Sequence, residues 1–394
     1  MTFAAWRSFK HIEEKRSVTD ASNKEIVIYA VGDVGPNRQD AQSMFRHVSD
    51  ILKQGDIGFC QLETNLSTRG TPLPQARLPM RAHPNSARAL KDCGFEVVSF
   101  AGNHCMDFGE EAFFDTIDAI KANGMEPVGV GRNIAEARSP VMRERHATRI
   151  AFLAYNSILP FGYWAENDRP GCAPMRAWTI YEQVEPDQPG SRCRIHTFPY
   201  KDDLQAMADD IEKAKSNADI VILSMHWGIH FVPAQLADYQ RETARRAIDC
   251  GADLILGHHP HILKGIEVYQ GKVIMYSLGN FAIEQPAAFM QDLYQTQRHR
   301  EIEELNPQWD EKREYPLPPE TRKSLMIKCV IAQKRIKRIA YLPAYITVGS
   351  EPEILKSDDA RFEDVVRYID EITSDQGLRA RFAHEGDEVV IKTE

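Results

Sequence analysis

The chain has 394 residues, 43% of them hydrophobic and 27% charged, a composition and length that suit one large α/β domain with insertions, or two domains. A formal charge of −9 and a pI near 5.9 argue against nucleic acid as a partner, because no broad basic face is available. The seven scattered cysteines form no CxxC, the first residues lack a signal-like apolar stretch, and no run of about 18 apolar residues occurs, which argues against a disulfide framework, a zinc knuckle or a membrane span and makes a reducing, cytoplasmic setting the expectation.

Residues 1–24 are polar and are expected to form an extension. Glu25–Val31 is a β-branched run that predicts a strand ending in Gly32-Asp33-Val34-Gly35, and a helix is predicted over 39–54. A second strand, Asp56–Cys60, runs into Gln61-Leu62-Glu63, where Gln61 and Glu63 alternate with Leu62 and share a face. The Pro-rich stretch 71–84 is a loop and 85–93 a helix. The third strand, Phe95–Phe100, leads into Ala101-Gly102-Asn103-His104-Cys105-Met106-Asp107, and a helix over 110–123 ends before Gly124 as a C-cap. Strand, polar turn and helix thus repeat, the pattern of a layered α/β fold.

Further strands are predicted around 127–130 and 149–155. Residues 157–200, rich in Pro, Gly and aromatics including Trp164 and Trp178, read as an irregular insertion that would wall a cleft. A helix over 202–216 precedes the apolar strand Asp219–Met225, which ends in His226-Trp227-Gly228-Ile229-His230. After a helix over 235–250, Leu254-Ile255-Leu256-Gly257 ends in His258-His259-Pro260-His261. His259 and His261 are two apart, so in an extended segment both imidazoles point the same way. Strands 262–269 and 272–276 flank Gln270-Gly271, a hairpin signal, and Ser277-Leu278-Gly279-Asn280-Phe281 closes that unit. Residues 284–322 change to charged, weakly periodic sequence and read as an insertion or lid; strands over 324–332 and 335–346 and a helix over 358–375 complete the same domain.

Five strand ends therefore deliver Asp33, Glu63, Asn103, His104, His226, His259 and His261, oxygen and nitrogen donors without a thiolate. Such a mixed carboxylate, amide and imidazole set suits divalent Mn, Fe or Zn, and holds two ions if a carboxylate bridges them. Cys60 and Cys105, beside these motifs, read as small packing residues, as do Met44, Met106 and the Phe113–Phe114 pair.

Gly32-Asp33, Gln61-Leu62-Glu63, Gly102-Asn103-His104, His226-Trp227-Gly228, Gly257-His258-His259-Pro260-His261 and Ser277-Leu278-Gly279-Asn280-Phe281, taken in order over residues 25–283, resemble the capsule-synthesis (CapA) family. That family is associated with poly-γ-glutamate production and belongs to the calcineurin-like metallophosphoesterase superfamily. The resemblance implies a four-layer α/β/β/α sandwich with a metal centre at the strand ends. It implies Asp33, Glu63, Asn103, His226, His259 and His261 as metal ligands for two ions. His104 would be the general acid, with Asp107 as its orienting partner and a metal-bound hydroxide as the nucleophile. His230, Gln61 and Asn280 fall on the substrate side. Three positions depart from the pattern. Gly35 stands where the superfamily has a His two residues after the Asp, Gln61 stands for an Asn, and His230 for a Glu.

The function expected from this reading is metal-dependent hydrolysis of a phosphoester or a related acyl or amide substrate, a small molecule or an acidic peptide. Two other classes compete with it. One is a non-hydrolytic component of polyglutamate or capsule-like biosynthesis that binds an acidic peptide or its phosphorylated intermediate. The other is a tailoring enzyme whose small-molecule pocket is built on Trp164 and Trp178.

Overall fold

The computed structural model describes residues 24–284 and 315–394, together with residues 300 and 308. The expected N-terminal extension and most of the expected lid at 284–322 lie outside the described residues.

Ile26–Gly35 is the central strand of the larger sheet, and its residues are buried along nearly the whole length. On one side it pairs in parallel with Ile57–Leu62, which is followed outward by Phe95–Ser99 and Glu126–Val128, all parallel. On the other side it pairs antiparallel with Lys323–Ala332, then Arg335–Ile346, Glu388–Lys392 and Arg381–Glu385. Asn280–Ile283 adds to its carboxyl end, and Pro352–Ile354 to Arg335–Ile346, giving ten strands.

A second sheet of six strands has Thr148–Asn156, Ile220–His226, Leu254–His258 and Lys272–Met275 in parallel, with Val141–Arg145 and Ile266–Tyr269 antiparallel at its two edges. Its period-two alternation sorts the core. Ile150, Phe152, Ile222 and Leu256 join the residues of the larger sheet, whereas Leu153, Tyr155, Leu223 and Ile255 pack with Met207, Ile211, Ala244 and Ala247 of the helices Lys201–Asn217 and Asp238–Asp249. Both faces are thus covered, as expected of parallel strands that read as continuous apolar runs. Phe59 and Phe152, one from each sheet, stack with ring centroids 5.9 Å apart and planes 7° apart, so the sheets face each other directly. The helices Ser86–Cys93, Gly109–Ala122 and Ala360–Asp375 contribute Leu90, Phe113 and Ile369 to that first core. Among the described residues no helix is long and apolar enough to cross a membrane.

Several expectations need correction. The helix predicted over 39–54 is a 3-10 turn, Ala41–Phe45, followed by one short turn, Ser49–Leu52. The apolar spacing is kept, with Met44, Phe45, Val48 and Leu52 all buried. The Ser43 hydroxyl donates to the Asp40 carbonyl at 2.7 Å and competes for the backbone acceptor a longer helix would use. The 157–200 stretch is not wholly irregular, because Ala177–Gln183 and Cys193–Pro199 form a hairpin. Its residues are largely exposed, which blurs the usual alternation. The Gln270-Gly271 hairpin forms as expected, with φ of 49° and 72° at the two turn residues.

Candidate metal centre

Each chemical group arrives at a strand's carboxyl end, where parallel sheets leave polar crevices. Asp33 sits opposite Gln61 on one neighbouring strand and Asn280 on the other, and the register slips at Asp33 on both sides. Gly32 permits that crowding. A Cβ there would lie 1.9 Å from the Gly279 carbonyl, and the neighbouring Asp33 amide donates to that same oxygen at 3.0 Å.

The second sheet supplies the histidines. His226 and His258 are paired across the parallel strands Ile220–His226 and Leu254–His258. Gly257 lets Leu254–His258 run close to its neighbour, since a Cβ would meet the Tyr276 carbonyl at 2.2 Å. The strand ends at His258, and His259 and His261 then take left-handed φ values of 94° and 58° around Pro260. Their rings therefore converge through two backbone conformations that non-glycine residues rarely adopt, not through the extended alternation expected from the sequence. Their centroids are 6.1 Å apart.

The structure brings all six expected ligands together. Asn103 Oδ1 is 2.6 Å from His226 Nε2 and 3.3 Å from His259 Nδ1. Glu63 Oε1 is 3.4 Å from His226 Nε2. Asp33 Oδ2 accepts from the His259 amide at 3.2 Å and lies 3.5 Å from His261 Nδ1. Donor atoms of Asp33, Glu63 and His261 all fall within 4.8 Å of one another. At Gly35 an added Cβ would meet the Cβ atoms of Glu63 and Thr64 at 3.9 Å, so the missing histidine leaves space at the rim of the same cluster.

The donors are deeply buried and poorly satisfied. Asp33 Oδ1, both Glu63 carboxylate oxygens and His226 Nδ1 have no hydrogen-bond partner. Unpaired buried carboxylates are costly unless a cation or a proton compensates them. Burial and the nearby Asp33 push the Glu63 pKa up to about 8. Burial, with neighbouring imidazoles adding to it, drives His226 and His259 below the usual histidine range and favours their neutral form. A cluster that holds its imidazoles neutral and leaves its carboxylates unpaired fits a divalent cation.

Beside this cluster His104 Nδ1 meets Asp107 Oδ2 at 2.6 Å. Burial works against protonation of His104, but the charge and hydrogen bond of Asp107, with Glu63 and Asp33, outweigh it and hold its pKa at about 9. The buried Asp107 also accepts from the Met80 amide at 2.7 Å and the Tyr163 hydroxyl at 3.1 Å.

A cavity of about 500 Å³ opens over the centre, and Glu63, Asn103, His104, His230, His259 and His261 line it. The His230 ring lies 3.9 Å from that of His259, centroid to centroid. Gln61 and Asn280 are fully buried and sit behind the wall. Asn280 Oδ1 accepts from His261 Nδ1 at 2.7 Å, and Gln61 Nε2 donates to the Leu62 carbonyl at 3.2 Å. From the 157–200 stretch, Ile158 and Pro160 wall the cleft, whereas Trp164 and Trp178 are not among its lining residues. Burial pushes the Cys60 and Cys105 thiols well up, in keeping with packing residues.

Three residues near the centre were not singled out from sequence. His258 is fully buried with Nδ1 3.3 Å from Asp33 Oδ1, and neither ring nitrogen has a hydrogen-bond partner. Its place beside two other histidines was a signal for it. Arg77 faces the cavity from the Pro-rich loop, and Lys264 lies buried behind it; neither carries a motif.

The capsule biosynthesis protein CapA of Bacillus anthracis is 28% identical over 293 residues, covering 72% of this chain and 65% of that protein. The PGA biosynthesis protein CapA of Bacillus subtilis (strain 168) is 30% identical over 250 residues, covering 63% and 58%. The chain thus spans less than two thirds of the length of these relatives. Among solved structures, a putative 5'-nucleotidase from Staphylococcus aureus overlays with a TM-score of 0.42 at 10% identity, covering 89% of this chain and 58% of that one. The bacterial capsule synthesis protein PGA_cap family matches residues 12–285, the span that carries all six candidate ligands, and the chain belongs to that family.

Proposed function

We propose that this protein is a metal-dependent hydrolase of phosphoesters, built as a four-layer α/β/β/α sandwich of the calcineurin-like type in which residues 25–283 and 323–394 form one domain. The observation that carries the reading is the pair of buried carboxylates, Asp33 and Glu63, left with unpaired oxygens among neutral imidazoles at the floor of an open cavity. Asp33, Glu63, Asn103, His226, His259 and His261 hold two divalent ions of Mn, Fe or Zn. When bound, such ions supply Lewis acidity and lower the pKa of water toward neutrality. His104, kept protonated by Asp107, stands in the cavity wall to donate a proton to the departing oxygen. Asn280 orients the ring of His261 through the hydrogen bond at Nδ1. His230 contacts the substrate, and Gln61 supports the floor. Unpaired buried thiols agree with a reducing, cytoplasmic setting.

A second reading has its own support. The relatives' names refer to capsule and PGA biosynthesis, and a protein that binds an acidic peptide without hydrolysing it would use the same cluster, loaded with its cations, as an anion receptor.

Elemental analysis of protein purified without chelator, beside His259→Ala, separates these readings from a metal-free one. About two equivalents of Mn, Fe or Zn, falling sharply in the variant, are expected. Close to one equivalent would mean that the histidine missing at Gly35 has cost the second ion. No metal in either protein, with none taken up on reconstitution, would remove the hydrolase reading.

A further inference from the structure

Beside its histidines and carboxylates the cleft is lined by apolar side chains, Leu78, Met80, Ile229, Phe231, Val232 and Leu317. Arg77 is the only arginine or lysine among the described residues that line it. Its side chain is exposed, and its guanidinium makes no hydrogen bond or ion pair among the described residues. Elsewhere on this molecule arginines beside carboxylates are taken up in pairs, as with Arg176 and Asp203 at 2.6 Å or Arg245 and Glu267 at 2.6 Å.

The segment bearing Arg77 is fastened to the site and not draped over it. The Leu73 amide donates to the Asp107 carbonyl at 2.8 Å, and the Met80 amide to the Asp107 carboxylate at 2.7 Å. Asp107 therefore grips both ends of the stretch 73–80 while also holding His104. Gln75 Nε2 donates to the Phe161 carbonyl at 2.8 Å, and the Asn65 amide to the Met80 carbonyl at 3.0 Å, which fixes the segment from outside and inside. A cation carried on such a segment is placed relative to the reacting centre.

We propose that Arg77 is the specificity-determining residue for a second anionic group on the substrate, a carboxylate or a phosphate, joined to the reacting phosphoester by an apolar spacer. The inference rests on the phosphoester reading of the centre. A planar guanidinium suits either anion, because its N–H fork matches both geometries. The apolar side chains that line the same cleft would pack against the spacer.

The test is calorimetric binding of three non-hydrolysable probes to the Mn-reconstituted full chain. The probes are benzylphosphonate, para-carboxybenzylphosphonate and para-xylylenediphosphonate. The wild type should bind at least one doubly anionic probe about fivefold or more tighter than benzylphosphonate, the gain expected of a partly exposed charge pair. Arg77→Ala should lose that preference while keeping its affinity for benzylphosphonate and its metal content, and Arg77→Lys should keep part of it. Which doubly anionic probe wins identifies the second group as carboxylate or phosphate. A wild type without the preference, or an Arg77→Ala protein that retains it, would overturn the assignment and leave the phosphoester reading standing. Failure of the metal-loaded wild type to bind any of the three would overturn both.

Discussion

At Asp107 one carboxylate serves three partners: His104 Nδ1, the Met80 amide and the Tyr163 hydroxyl. Its charge is what keeps His104 protonated up to a pKa of about 9 despite burial, so an uncharged isostere separates proton donation from shape. Asp107→Asn is expected to slow cleavage of an alkyl phosphoester about 100-fold, the lower range for general acid catalysis. A nitrophenyl ester, whose leaving group needs little protonation, should slow less than about tenfold. The alkaline limb of the alkyl-ester profile should also move to lower pH, because the His104 proton is held less firmly. Equal losses on both esters would mean that His104 is not the acid. This pairing was legible at the sequence level because His104 and Asp107 are three apart in one polar turn. The wider grip of Asp107 on Leu73 and Met80 was not, since both contacts use backbone amides, which any residue carries.

The loop between Ile220–His226 and Asp238–Asp249 lays His230, Phe231 and Val232 over the cleft. Phe231 and Ala234 take positive φ values of 55° and 48°, so the loop is held in a conformation it would not favour alone. What holds it is Lys264, 1% exposed, whose ammonium donates to the carbonyls of Val232 and Gln235. Burial lowers its pKa from 10.5 to about 8. Below about pH 8 the buried ammonium weighs against the fold. Between pH 8 and 10.5 the folded chain has released a proton that the unfolded chain keeps, so stability rises with pH. Urea unfolding of the wild type, with Lys264→Met subtracted, should show that rise, on the order of 2 kcal/mol across the window. A flat difference would place the ammonium in contact with water. Strand ends such as Asp33, Glu63 and His226 were legible because apolar runs stop at polar residues. The left-handed turns at His259 and His261, the Lys264 clamp and the broken 39–54 helix were not, because each is decided by what packs around the segment and not by its own pattern.

The candidate centre is also a seam between the two sheets. Asp33 lies in and Glu63 just after strands of the larger sheet, His226 ends and His259 follows strands of the smaller one, and Phe59 of the first sheet stacks on Phe152 of the second. Without a cation, that seam brings together two buried carboxylates with unpaired oxygens, and it must be a weak point of the fold. Glu63, raised from 4.5 to about 8 by burial and by Asp33, shows the sign. Below about pH 4.5 both folded and unfolded chains hold the proton. As the pH rises toward 8 the unfolded chain releases it and the folded chain keeps it, so stability is lost across that range. In chelator, unfolding of the wild type compared with Glu63→Gln, which imitates the protonated acid, should fall by ~3 kcal/mol between pH 5 and 8. Added Mn²⁺ should reverse the order. The charged wild type then gains about 4.1 kcal/mol at a thousandfold excess over the dissociation constant, more than the deficit it carries in chelator, and the variant gains less. If the two proteins run parallel in chelator and respond alike to metal, Glu63 does not couple the sheets through charge. If they cross, the same residue that weakens the empty fold is the one that makes cation binding and folding a single event.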